Sequence, residues 1–169
     1  MRLTTGRAEW IWYTDLVQEP HPIAFVATRD FVLERAPERA LAKVFVDREH
    51  VLWINGTRVG SGSHGPGDPL ALYEVGPLLK VGINRVAIEA GSPTGIGGVL
   101  FSLDVAQMGR DAVVSDGGWR VDLSRDALAS GARYRAAVWG RPPQYPWGYP
   151  RMPEPRELEG RSPNSRPGL

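Results

Sequence analysis

Apolar and polar residues alternate along this chain in short runs, and the alternation predicts strands. In "NRVAIEA" (84–90), Val86 and Ile88 fall on one side and Arg85, Ala87 and Glu89 on the other. "WRVDL" (119–123) sets Trp119, Val121 and Leu123 against Arg120 and Asp122. "HVLWI" (50–54) and "TRVG" (57–60) flank Asn55-Gly56, a dipeptide that suits the positive φ angles of a type I′ hairpin turn. Val51 and Trp53 then share one side of that hairpin, and Leu52 and Ile54 the other.

Further runs rich in Val, Ile, Phe and Trp, and bounded by Gly, Asp or Pro, carry the same signature. They are "WIWY" (10–13), "LAKVFVD" (41–47), "GVLFSLDV" (98–105), "AVVSD" (112–116) and "YRAAVWG" (134–140). "IAFVATRDFVLER" (23–35) is long enough for one bent strand or two. Helix signals are short: two turns within 125–134, ending before Gly131, and one turn within 76–82 with Pro77 at its first position. Eight or nine strands with little helix predict an all-β protein, an antiparallel β-sandwich or barrel. Trp53 and Trp119 lie at alternating apolar strand positions and are expected in the core.

From Pro142 the texture changes. "RPPQYPWGYP" (141–150) mixes proline with Tyr145, Trp147 and Tyr149, whose rings need a surface to lie on. It is expected to be an ordered strap closing a module that runs from 1 to 150. Residues 151–169 are nearly free of apolar side chains and are expected to form a flexible tail.

Composition narrows the function. The 169 residues carry a formal charge of +1, and residues 1–150 hold sixteen charges of each sign. A neutral body offers phosphate backbones no electrostatic footprint, which argues against nucleic acid as partner. With no cysteine there is no disulfide, thiolate metal site or Cys nucleophile. "MRLTTGRAEWIWYTD" lacks the apolar stretch of a signal peptide, and no run approaches a membrane span of ~20 residues; a soluble, cytoplasmic protein is the expectation.

The order of the pieces resembles the galactose-binding-like jelly-roll module. That module accompanies glycoside hydrolases of the α-L-rhamnosidase and β-galactosidase/β-glucuronidase groups. The resemblance covers residues 8 to 140 and rests on an "LxxNG"-type hairpin, here Leu52, Asn55, Gly56, Val59 and Gly60. A turn from Glu74 to Asn84 and a strand containing Val86 and Ile88 follow, then a "TDxxW"-like element at Ser115, Asp116 and Trp119. Departures include Gly76 in place of Thr, and Val81 and Ile83 in place of Pro and Glu, which expose two apolar residues in a turn. The resemblance implies a jelly roll and an accessory, sugar-binding role without catalysis, since a (β/α)₈ barrel of ~250 residues does not fit in this chain.

Candidate chemistry is sparse. No pair of carboxylates stands out for glycoside hydrolysis. His21, His50 and His64 lack paired metal-ligand spacing and do not form the His cluster of a cupin-type enzyme. Asp68 and Asp116, with loop carbonyls, are the candidates for the structural calcium that the resemblance implies; no other cofactor is expected. The glycine-rich segments 60–67 and 91–98 do not open helices after strands and do not read as phosphate loops.

The aromatics remain. Trp139, Tyr145, Trp147 and Tyr149, near Arg133 and Arg141, suit either stacking under a sugar ring with guanidinium groups on its hydroxyls, or docking onto the body or another chain. The partners that follow are a carbohydrate or a separately encoded glycoside hydrolase chain. The alternative is a protein-interaction module of the same fold, a homo-oligomer included, that binds no sugar. The hairpin itself reads as scaffold.

Overall fold

The computed structural model describes residues 6–16 and 19–159. Of the described residues about 50% are in strands and 7% in helices, in two antiparallel sheets, so the fold is an all-β sandwich. Sheet A holds β1 (Trp10–Trp12), β3 (Ala40–Asp47), β6 (Ala71–Glu74), β8 (Gly98–Val105), β9 (Gly109–Val114) and β12 (Ala137–Gly140). Its order is β12-β1-β8-β3-β6, and β9 pairs with the end of β8 that β1 does not reach. Sheet B holds β2 (Ile23–Leu33), β4 (Glu49–Ile54), β5 (Thr57–Ser63), β7 (Gly82–Ser92), β10 (Arg120–Asp122) and β11 (Tyr134–Arg135), in the order β11-β10-β2-β7-β4-β5.

The long apolar run 23–35 is thus a single strand, paired with β7 over its whole length. The run 134–140 divides into β11 and β12, which belong to different sheets. Between the sheets lie Ile11, Phe25, Leu52, Ile54, Val86, Ile88, Phe101, Trp119 and Val121, all buried. Val86 with Ile88, and Leu52 with Ile54, face inward as their alternation requires. Two expectations fail here. Leu123 is exposed because β10 stops at Asp122 and the alternation lapses with it. Trp53 is half-buried outside the main core, since it shares the outward side of β4 with Val51. There it packs with Val26, Ala87 and Ala127.

The signature residues of the sequence hold the fold together. Asn55 (φ 49°) and Gly56 (φ 81°) both adopt the left-handed backbone of a type I′ turn. The Asn55 amide donates to the Leu78 carbonyl and to Asn84 Oδ1, both at 2.9 Å, and its own Oδ1 accepts the Arg85 N–H at 2.8 Å. Buried Asn84 in turn accepts the Lys80 N–H. The hairpin is therefore bolted to the turn that leads into β7. Ser115 stitches the gap between β1 and β9: its hydroxyl donates to the Glu9 carbonyl (2.7 Å) and accepts the Phe101 N–H (3.0 Å).

The short helix α1 (Ala127–Ser130) ends at Gly131 (φ 86°), and a 3₁₀ turn spans Gly76–Leu78. Residues 155–159 form a second short helix, α2 (Pro155–Glu159). Of the expected tail, 151–159 are described. Arg151 grips Glu157 at 2.7 and 2.9 Å, and its carbonyl accepts the Leu70 N–H.

Candidate functional site

The outer face of sheet B is open, and its cross-strand register places side chains in rows. One row is Ser63, Glu49, Gly91 and Ala24; the next is Ser61, Val51, Glu89 and Val26. Gly91 and Ala24 contribute almost no side chain, which leaves a hollow along the first row. The hollow is a cleft of about 580 Å³ walled by Arg58 and Ser61 on one side and Leu123 and Arg125 on the other. That size falls among small-molecule sites.

Glu89 is fixed at its centre. It accepts the Trp53 indole N–H at 3.1 Å and the Arg125 guanidinium at 2.6 Å. Glu49 and Arg58 make no ion pair among the described residues. Two arginines and two glutamates thus balance. Sequence reasoning missed this cleft because Glu49 and Glu89 meet only through the β4–β7 register. The outward parity of Glu49, Val51, Trp53 and Glu89 was the available signal.

The segment carrying α1 crosses the same face at the next row, over Ala87, Trp53 and Val26. Two smaller clefts lie towards the strand ends and share Tyr13. One, of about 200 Å³, is lined by Trp12, Tyr13, Leu16, His21, Ile96 and Trp139. The other, of about 440 Å³, is lined by Tyr13, Asp122, Leu123, Arg133 and Tyr134. There Arg133 bonds Asp122 at 2.8 and 3.3 Å and lies over the Tyr134 ring at 5.1 Å. The Arg133 hydrogen bond, with the Ser124 N–H beside it, holds the Asp122 carboxyl down at about 2.

The six candidate residues fall into two groups. Arg133 and Trp139 flank the clefts that Tyr13 joins. Arg141, Tyr145, Trp147 and Tyr149 lie in the strap, on the side of sheet A. There Trp147 stacks on Trp10 (4.2 Å between ring centres, 25°) and donates its indole N–H to Asp47 at 2.9 Å. Gly98 lies beneath both indoles, and a Cβ on it would stand 2.8 Å from each. Tyr145 is 96% exposed and Tyr149 56%. Arg141 is exposed without an ion pair among the described residues.

Asp68 and Asp116 are turned to their own loops, accepting the Gly65 N–H (2.7 Å) and the Gly118 N–H (2.8 Å). Among the described residues, no three His, Asp or Glu side chains gather as a metal site. His50 and His64 are stacked and buried, 5.5 Å apart, and His50 bonds the Tyr73 hydroxyl at 2.9 Å. Burial, with the His64 ring beside it, pushes the His50 imidazole down to about 3. No helix among the described residues is long and apolar enough to cross a membrane.

Neither a protein-family model nor a curated protein sequence matches this chain. Solved structures do share its fold. A lectin from Pleurotus ostreatus in complex with GalNAc superposes with a TM-score of 0.71 at 18% identity, over 90% of this chain and 49% of the lectin. A GH78-family rhamnosidase of Bacillus sp. GL1 superposes with a TM-score of 0.72 at 17% identity, over 86% of this chain and 20% of the enzyme. The α-L-rhamnosidase of Streptomyces avermitilis complexed with L-rhamnose gives 0.70 at 19%, over 89% of this chain and 16% of the enzyme. The chain spans about half the length of the lectin and a fifth or less of these rhamnosidases. The fold is that of the galactose-binding-like jelly-roll module.

Proposed function

We infer that this chain is a non-catalytic carbohydrate-binding module of the accessory kind, and that the cleft around Glu89 holds the sugar. The observation that carries this reading is the lining of that cleft. Two carboxylates and two guanidinium groups, with Glu89 and Arg125 held by their mutual hydrogen bond, stand around a floor of Gly91 and Ala24. Vicinal hydroxyls find paired donors and acceptors there, and a pyranose ring finds room. The shared fold with a GalNAc-bound lectin supports the same reading.

Glycoside hydrolysis needs more. Glu49 and Glu89 stand diagonally on paired strands, their backbones roughly 7–8 Å apart by sheet geometry. Glu49 is exposed, and Glu89 is committed to the Trp53 and Arg125 donors. The alternative reading, a module that docks on a hydrolase chain or on its own copy, is favoured by the projecting Tyr145 and by the exposed Val32, Val81 and Ile83.

The test is an NMR titration with N-acetylgalactosamine, galactose and rhamnose, read at the indole N–H signals. Binding in the cleft moves the Trp53 signal and leaves that of Trp147 in place, with a Kd around millimolar, about −4 kcal/mol. Absence of any shift well above that concentration overturns the reading. A shift confined to Trp147 transfers the site to the strap.

A further inference from the structure

On the far side of α1, the outer face of sheet B turns strongly cationic. The next rows along the strands bring Thr28 beside Arg120, and Asp30 beside Arg85. They line a second cleft of about 300 Å³, with Arg29 above and Ser130 to Ala132 closing the side towards α1. Arg135 stands directly opposite Arg120 on β11 and so projects to the same face. Four arginines therefore face two aspartates, Asp30 and Asp116, in a protein whose whole charge is +1.

The aspartates do not neutralise the cluster evenly. Asp30 is taken up by Arg85 through two bonds, at 2.7 and 3.0 Å. Arg29 reaches Asp116 only at 3.9 Å. Arg120 and Arg135 make no ion pair or side-chain hydrogen bond among the described residues. Like charges directly opposite on antiparallel strands repel. Here Arg120 lines the cleft and Arg135 is paired beside it, and both are exposed. A guanidinium fork matches the two oxygens of a carboxylate or sulfate, and several forks together make a receptor for one.

We propose that this second cleft binds an anionic group, a carboxylate or a sulfate, carried by a saccharide whose neutral part occupies the cleft around Glu89. The anion lies between Arg29 and Arg120, with Arg135 adding charge from the edge strand. The saccharide half of this assignment rests on the function proposed above; the anion half rests on the arginines alone. The rows concerned, at Ala24 of β2 under the sugar and at Thr28 beside Arg120, are separated by about 13 Å at strand rise, so the ligand class is an acidic oligosaccharide and not a single sugar.

The experiment titrates the protein with sodium sulfate and with D-glucuronate, ionic strength being held constant with sodium chloride. The readouts are the arginine Nε–H signals, the Trp53 indole signal and the melting temperature. Expected are saturable shifts of Arg29 and Arg120 and a rise in melting temperature. Arg120→Gln is expected to weaken the binding about tenfold, the scale of one charge-assisted hydrogen bond. Arg110→Gln, which removes the same charge from β9 of the other sheet, is expected to leave the affinity unchanged. Without added anion, Arg120→Gln melts no lower than the parent, because a repulsion has been removed; this separates lost binding from lost folding. A response to sulfate alone, or to glucuronate alone, identifies the group. Equal weakening by Arg110→Gln, or a response no greater than that to chloride, overturns the proposal. Shifts at the arginines with Trp53 unmoved by neutral sugars keep the anion site and discard the saccharide. Shifts at Trp53 alone, with glucuronate behaving as a neutral sugar, discard the anion site and keep the carbohydrate reading.

Discussion

The two outer faces of the sandwich have opposite fates. That of sheet A is apolar and covered. Trp10, Phe45, Leu70, Leu72 and Leu100 form a second core there, under Trp147 of the strap and Met152. Even the charge on this face is enclosed: Lys43 is buried beside Asp104 (3.0 Å) and Asp111 (3.6 Å). Among the described residues, the outer face of sheet B carries the short α1 saddle and keeps a cleft on either side of it. An antiparallel sheet is free to leave one face to solvent, and here only one face is so left. The Trp10–Trp147 stack marks the sealed side, while charged residues in register mark the open one.

The comparison is broken most directly at Trp147. Trp147→Ala removes the stack on Trp10 and strands Asp47 without its donor, so it is expected to cost about 2–4 kcal/mol in denaturant unfolding, with sugar titrations unchanged. Unchanged stability with lost binding would make the strap the ligand platform and reverse the assignment of the two faces.

Acid tests the corner where the faces meet. The folded His50 titrates far below its ordinary value, so the unfolded chain binds the extra proton first as pH falls. Its contribution is complete above about pH 6.5 and is lost progressively towards about pH 3. The melting temperature is expected to drop over that window, and His50→Gln to flatten the drop.

Gly56→Val forces a β-branched residue into left-handed backbone, at an expected cost of about 1–3 kcal/mol by thermal or chemical melting. The smallest effect on stability is expected from Glu89→Gln. Trp53 and Arg125 bond different oxygens of Glu89 and Gln keeps only one acceptor, so one donor loses its partner at a cost of about 1 kcal/mol, while affinity for neutral sugars falls several-fold in the same titration. A variant that binds as before would remove Glu89 from the site.

What was legible in the sequence follows from range. Asn55-Gly56 states its own backbone, and Val86 and Ile88 state their own burial, because turn chemistry and alternation are local. The resemblance likewise caught Asn55 and Asn84, which the fold joins by a hydrogen bond. Trp53 was expected in the core because its neighbours are apolar, yet parity with Glu49 sends it outward to α1. The strand Ala71–Glu74 is four residues long and lies directly behind a glycine-rich loop, too short to show alternation by itself. Neither cleft was legible, since Glu89 lies near Glu49, and Arg120 beside Arg135, only after the strands have paired. A neutral total charge hid the arginine cluster completely.

Residues 10–12 form the strand that sits between β8 and β12, so during synthesis β1 has no partner until Val99 and then Ala137 have been added. Sheet B, by contrast, has its central β2–β7–β4–β5 set available by residue 92. Synthesis therefore delivers the centre of sheet B before sheet A is complete, and the closing of Trp147 onto Trp10 comes later still. Until then the apolar outer surface of sheet A stays uncovered, the kind of transiently exposed surface that invites aggregation.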